Sequence, residues 1–88
     1  MTDPQWAIQV TPRARRDLGN LDAPIHRRVR EALVRLVENP ANAQLVRLRG
    51  SDELRLRVGD WRVRLRLDTA ARTVVVLRVL PRGRAYRE

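Results

Sequence analysis

The chain has 88 residues, 43 % of them hydrophobic, a formal net charge of +9 and no cysteine. That length sets one small domain, residues 1–88, with a thin core that buries only about two-thirds of the unfolded surface. Disulfides and thiolate metal sites are excluded, no apolar run approaches the roughly 20 residues of a membrane span, and MTDPQWAIQV lacks the pattern of a secretory signal, so a cytoplasmic location is expected.

All 19 basic residues are arginine. Arginine is always charged and makes forked bonds to phosphate, so this choice has chemical consequences whatever its genomic origin. The charge is also uneven. Residues 1–53 hold 9 arginines and 7 acids, whereas residues 54–88 hold 10 arginines and 3 acids. The carboxy-terminal part carries the signature of a protein that meets a polyanion.

Trp6 to Val10 alternates apolar with smaller or polar residues and predicts a first strand. Thr11-Pro12 reads as N-cap and first helical residue, with a short helix over Arg13–Leu18 and Gly19 as its C′ residue. Asp22 is placed to cap a second helix, with Pro24 in its first turn. Ile25, Val29, Ala32, Leu33, Leu36 and Val37 then form one stripe at helical period, which Asn39-Pro40 ends. The only histidine, His26, falls on the polar side and reads as a surface residue.

Residues 40–53 read as a connection in which Leu45–Gly50 extends briefly. LRLRVGDWRVRLRL, residues 54–67, reads as a hairpin with Gly59-Asp60 as a two-residue loop of type I′ or II′. Asp68 to Arg72 turns again, Thr73–Leu80 is an almost unbroken β-branched strand, and Pro81 ends it. The predicted fold is α+β in the order β-α-α-β-β-β: an antiparallel sheet with a helical hairpin on one face and arginines on the other.

The two-residue loop fixes the register of the hairpin. Val58 lies opposite Trp61, Arg57 opposite Arg62, Leu56 opposite Val63, Arg55 opposite Arg64 and Glu53 opposite Arg66. Two Arg–Arg pairs therefore face each other, which costs up to about 1 kcal/mol each. Arginines that merely keep a wet face soluble are one explanation. A face that binds phosphate is the other, and it gives the repulsion a purpose. With only Trp6, Trp61 and Tyr86 as aromatics, and both tryptophans expected in the core, a stacking platform for single strands is not indicated.

TPRARRDL, LVENP at the end of the second helix, LVRLRG, the LRLRVGDWRVRLRL hairpin, the valine-rich strand and PRGRAY occur in that order. Together they resemble the RelE/ParE superfamily of bacterial toxins over nearly the whole chain. The resemblance implies the toxin of a type II toxin–antitoxin system, held in a hetero-oligomer by a cognate antitoxin whose acidic or partly disordered segment lies across the arginines. RelE-like members cleave messenger RNA on the ribosome without a metal or other cofactor. ParE-like members poison DNA gyrase and generally lack the RelE catalytic set.

By position, the RelE motif's basic pair falls on Arg55 and Arg57, its hairpin arginine on Arg62, its late arginine on Arg82 and its terminal tyrosine on Tyr86. The resemblance thus implies Arg62, Arg82 and Tyr86 as catalytic residues, with Arg55, Arg57, Arg64 and Arg84 holding RNA phosphates. Arginines stand where some members have lysines, so those positions act electrostatically and not as general bases. Pro81 replaces a more usual histidine or polar residue and removes one acid/base group. The favoured expectation is a ribosome-dependent messenger endonuclease. A gyrase inhibitor, a catalytically silent relative that only binds antitoxin or nucleic acid, and an unrelated basic ribosome-associated domain stay open.

Overall fold

A computed structural model describes residues 6–39, 45–47 and 52–82. The elements run β1 (Ala7–Val10), α1 (Pro12–Gly19), α2 (Ala23–Glu38), β2 (Leu45–Arg47), β3 (Glu53–Val58), β4 (Trp61–Asp68) and β5 (Thr73–Pro81). The five strands form one sheet in the order β1-β5-β4-β3-β2. The α+β class and the helical hairpin follow the sequence reading. Two features of the sheet correct it.

The sheet is mixed, because β1 pairs with β5 in parallel, Ala7 with Thr73 through Val10 with Val76. Hairpin alternation sets the direction of β5, and the central apolar run of β5 needs a neighbour on both edges. The chain leaves β1 toward α1, which docks against the far half of β5, so β1 must run the same way as β5. The short segment Leu45–Arg47 is also a strand, antiparallel to β3, and it extends the sheet at the opposite edge.

Helix α1 starts at the predicted cap. Thr11 has extended backbone, and its Oγ1 accepts from the Ala14 N–H at 3.2 Å while donating to the Leu77 carbonyl at 3.1 Å. Gly19 lies inside the helix and not at C′. Asn20, with φ −93°, closes the end, so no left-handed glycine is needed. Helix α2 starts after Asp22, whose side chain makes no cap bond, and ends at Glu38. Val29, Leu33 and Leu36 are buried, with Ile25, Ala32 and Val37 packed at their flanks. His26 is half-buried, not the open surface residue its helical position suggests. Neither helix is long and apolar enough to cross a membrane.

The core joins these helix residues to Leu54 and Leu56 of β3, Val63 and Leu65 of β4, and Val74, Val76 and Val79 of β5. Both helices therefore cover one face. Trp6 and Trp61 pack at its margin, half-buried. The hairpin register agrees with all five predicted pairs, from Glu53–Arg66 to Val58–Trp61. Gly59 has φ +60° while Asp60 keeps a negative φ, which makes the turn type II′.

One irregularity decides which side chains share the outer face. Arg64 pairs with Arg78 but Leu65 pairs with Val76, so Leu77 is an extra residue in β5. Strict alternation from buried Val74 and Val76 would turn Arg78 into the core. The bulge shifts the phase by one, which brings Val79 inward at 2 % exposure and Arg78 outward.

Candidate polyanion-binding face

The sheet face away from the helices carries Arg55 and Arg57 from β3, Arg62, Arg64 and Arg66 from β4, and Arg78 from β5. Arg55, Arg64 and Arg78 form one row across three strands. Arg57 faces Arg62 nearer the hairpin turn, and Arg66 lies toward the other end of β4, opposite Glu53. Arg82 follows β5, and its N–H donates to the Asp60 carbonyl at 2.7 Å, which fixes it beside the same turn. The structure thus gathers Arg57, Arg62 and Arg82 at one end of the face. Arg84 and Tyr86 lie outside the described residues.

These arginines do not all stand open to solvent, as the sequence reading expects. Arg62 is 5 % exposed. Its Nη1 donates to the carbonyls of Gly59 and Trp61, both at 2.9 Å, so the guanidinium closes the hairpin turn. Leu80, its neighbour on β5, is equally buried. Arg55 and Arg64 are half-buried, while Arg57, Arg66 and Arg82 are exposed.

Internal carboxylates relieve much of the like-charge repulsion. Glu53 is level with Arg66 in register but bonds diagonally to Arg64. Arg64 Nη2 reaches both carboxylate oxygens at 2.7 and 3.0 Å, and Nε reaches one at 2.9 Å. Asp17 of α1 does the same for Arg78, taking Nε at 2.8 Å and Nη2 at 3.3 Å. An anionic partner is therefore not required to hold the middle row together. What remains for a partner is the exposed charge at both ends.

Asp17 also accepts the Val79 N–H at 2.9 Å. Strand β1 ends level with Val76, and this carboxylate supplies the bond that a longer β1 would have made to β5. Burial pushes the Asp17 carboxyl up. The bonds from Arg78 and Val79 and the charges of Arg78 and Arg13 outweigh that, and the group sits below the ordinary aspartate value.

Beyond the middle row lies an open groove of about 540 Å³, with Arg13, Arg66, Arg64 and Arg78 at its sides and Pro12 and Leu77 among its lining. Of these arginines, the family resemblance implies a role for Arg64 alone. Arg66 was legible from hairpin parity. Arg13 arrives from α1, and Arg78 turns outward only through the bulge, so neither has a local signature.

A mixed five-stranded sheet with two helices is the architecture of RelE/ParE toxin folds. The profile of the ParE toxin of type II toxin–antitoxin systems (parDE) matches residues 8–86, and the chain belongs to that family within the RelE/ParE superfamily. It is a type II toxin. A chain of the RelBE2 toxin–antitoxin complex from Mycobacterium tuberculosis is 32 % identical, with TM-score 0.75 over 89 % of this chain and 99 % of that one. A chain of the archaeal RelE–RelB complex from Pyrococcus horikoshii OT3 superposes with TM-score 0.78 at 24 % identity, over 91 % of this chain and 98 % of that one. The isolated E. coli RelE toxin gives 0.76 at 20 % identity, over 93 % and 92 %. No curated protein sequence matches the chain.

Proposed function

We propose that this toxin is a ribosome-dependent messenger endonuclease. The observation that carries the reading is the gathering of Arg57, Arg62 and Arg82 at the hairpin end of the outer face, at the positions that the RelE motif assigns to phosphate chemistry. The 32 % identity to a chain of a RelBE complex agrees with it.

In this reaction the 2′-hydroxyl of a messenger nucleotide attacks the adjacent phosphorus in line. The bond to the 5′-oxygen of the next nucleotide breaks, leaving a 2′,3′-cyclic phosphate and a 5′-hydroxyl. Tyr86 takes the proton from the 2′-hydroxyl, and the leaving oxygen takes one from a donor at the site or from water. Arg62 and Arg82 stabilise the charge that grows on the phosphoryl oxygens. Arg55, Arg57, Arg64 and Arg84 hold backbone phosphates, with Arg64 contributing field from its place beside Glu53. For Arg62 to reach a phosphate, its guanidinium must exchange the Gly59 and Trp61 carbonyls for phosphoryl oxygens. A charged acceptor makes that exchange favourable.

A cognate antitoxin is the expected inhibitor. Relatives are found in complexes with RelB antitoxins, and an acidic segment across this face would neutralise the same charges. A toxin–antitoxin hetero-oligomer in the cytoplasm, where ribosomes and messenger are, follows from this reading.

Gyrase inhibition is the second reading. It is favoured by the ParE profile match and by the burial of Arg62 against its own hairpin turn. The deciding experiment incubates purified toxin with translating ribosomes and maps messenger ends. New ends with 5′-hydroxyls are expected. Intact messenger accompanied by gyrase-linked DNA breaks would overturn the reading in favour of the second.

A further inference from the structure

We infer that the pocket at the open edge of β5 is a nucleobase subsite, in which the Trp61 indole stacks on a base of single-stranded RNA and the Asn20 carboxamide reads its edge. The inference rests on the messenger-cleavage reading and adds a base contact to the phosphate contacts of the outer face.

Three observations carry it. First, the pocket lies where the arginines of the hairpin end lead. Arg57 pairs with Arg62, and Arg62 with Leu80, so these positions step from β3 across β4 to β5. Arg82 follows two residues beyond Leu80 and is fixed beside the turn by its bond to Asp60. Neighbouring strands lie about 4.8 Å apart, so a polynucleotide that follows these arginines crosses from β3 to β5 in about 10 Å. It then meets the edge of β5. Strand β1 stops level with Val76, and the pocket occupies the edge beyond it, along Arg78 to Pro81.

Second, the pocket wall is neutral. The two charged side chains in its lining, Asp17 and Arg78, bond to each other at 2.8 and 3.3 Å. Asp17 takes the Val79 N–H as well. A phosphate gains little from a carboxylate and a guanidinium that cancel one another. An uncharged base enters without breaking the pair.

Third, the remaining lining has the chemistry that holds a base. Sequence parity and composition place Trp61 in the core, yet it is half-buried and lines the pocket. Leu21 and Pro81 add apolar walls. Asn20 is exposed, and its backbone N–H, bonded to the Arg16 and Asp17 carbonyls, fixes it at the end of α1. A carboxamide offers a donor and an acceptor together, which complements the amino group and ring nitrogen on the edge of adenine. At about 300 Å³ the cavity is at the small end of ligand sites, with an apolar body and few polar groups.

The test follows the intrinsic fluorescence of W6F, in which Trp61 is the sole indole, during titration with adenosine 5′-monophosphate and with ribose 5-phosphate. The second ligand keeps the phosphate and lacks the base. Stacking of one base on an aromatic ring is worth about 5- to 150-fold in affinity. The nucleotide is expected to quench Trp61 and to bind at least about fivefold tighter than the sugar phosphate. N20A is expected to erase the preference for adenosine over uridine monophosphate. If W6F melts below the wild type, the Trp61 indole N–H resonance of isotope-labelled wild-type protein replaces fluorescence. Equal affinity for nucleotide and sugar phosphate overturns the subsite, as does binding without a change at Trp61. An unchanged base preference in N20A overturns the reading of the edge by Asn20. A Leu-Glu-Leu-Glu peptide is titrated in parallel. Quenching by the peptide alone overturns the proposal and makes the pocket a site for a protein segment. The ribosome cleavage assay separates the two levels. Cleavage without base binding removes the subsite and leaves the function, while base binding without cleavage removes the function and leaves a nucleotide pocket.

Discussion

Asp17 and Arg78 lie 61 positions apart in sequence, yet the carboxylate of one takes two nitrogens of the other at 2.8 and 3.3 Å and the Val79 N–H at 2.9 Å. This single contact fastens α1 to β5, satisfies a strand edge left open by β1, and neutralises an arginine in the cross-strand row.

Asp17→Ala is expected to destabilise the fold by about 2–3 kcal/mol, because it orphans a partly buried guanidinium and a backbone N–H together. Chemical denaturation checks this. The folded carboxyl titrates below its ordinary value, so its contribution is fully present above the unfolded value near pH 4. It is lost as pH falls through the lower, folded value. The wild type should therefore lose stability in acid below about pH 4, and Asp17→Ala should lose less over that interval.

Arg62→Ala removes the donors to the Gly59 and Trp61 carbonyls. A cost of about 1–3 kcal/mol is expected, read as a lower denaturation midpoint with an unchanged slope. Arg62→Lys keeps a charge but has one ammonium in place of a fork, and should recover only part of the loss. Full stability in Arg62→Ala would show that the turn does not depend on this side chain.

Gly59→Ala isolates the backbone demand of the hairpin. The φ of +60° disfavours a side chain, while the nearest atom to an added Cβ is Arg28 Nη1 at 3.9 Å, which is no clash. The expected cost is about 1–2 kcal/mol, all of it conformational. A thermal melt indistinguishable from wild type contradicts the type II′ turn.

Arg82 contributes its backbone N–H to the Asp60 carbonyl, and its side chain is exposed. Arg82→Ala is therefore expected to leave the melting temperature unchanged and to abolish growth arrest on induction. Tyr86→Phe is expected to do the same. If it stays fully toxic, the tyrosine is not the base.

The register of the hairpin was legible because its determinants are local. A glycine-first two-residue loop fixes the register, and the register fixes which of the alternating side chains lie opposite one another. The apolar stripe of α2, the Thr11 cap and the Asn39-Pro40 stop were legible for the same reason. The parallel placement of β1 was not, since strand direction at an edge depends on where the intervening helices dock. The fate of the arginines was only half legible. Parity put Arg55, Arg57, Arg62, Arg64 and Arg66 on one face, but parity does not reveal that Arg62 folds back onto its own turn.

The sequence alone determined which hairpin arginines share a face, the order of every element but β2, and the family to which they belong, because periodicity, caps and turn residues act over a few positions. Only the tertiary structure decided which charges remain available. The extra residue Leu77 turns Arg78 outward, α1 brings Asp17 to meet it, and Glu53 reaches past its register partner to Arg64. The reason is that electrostatic energy depends on separation in space, and a one-residue bulge or a docking helix changes those separations without leaving any repeat in the chain for the eye to find.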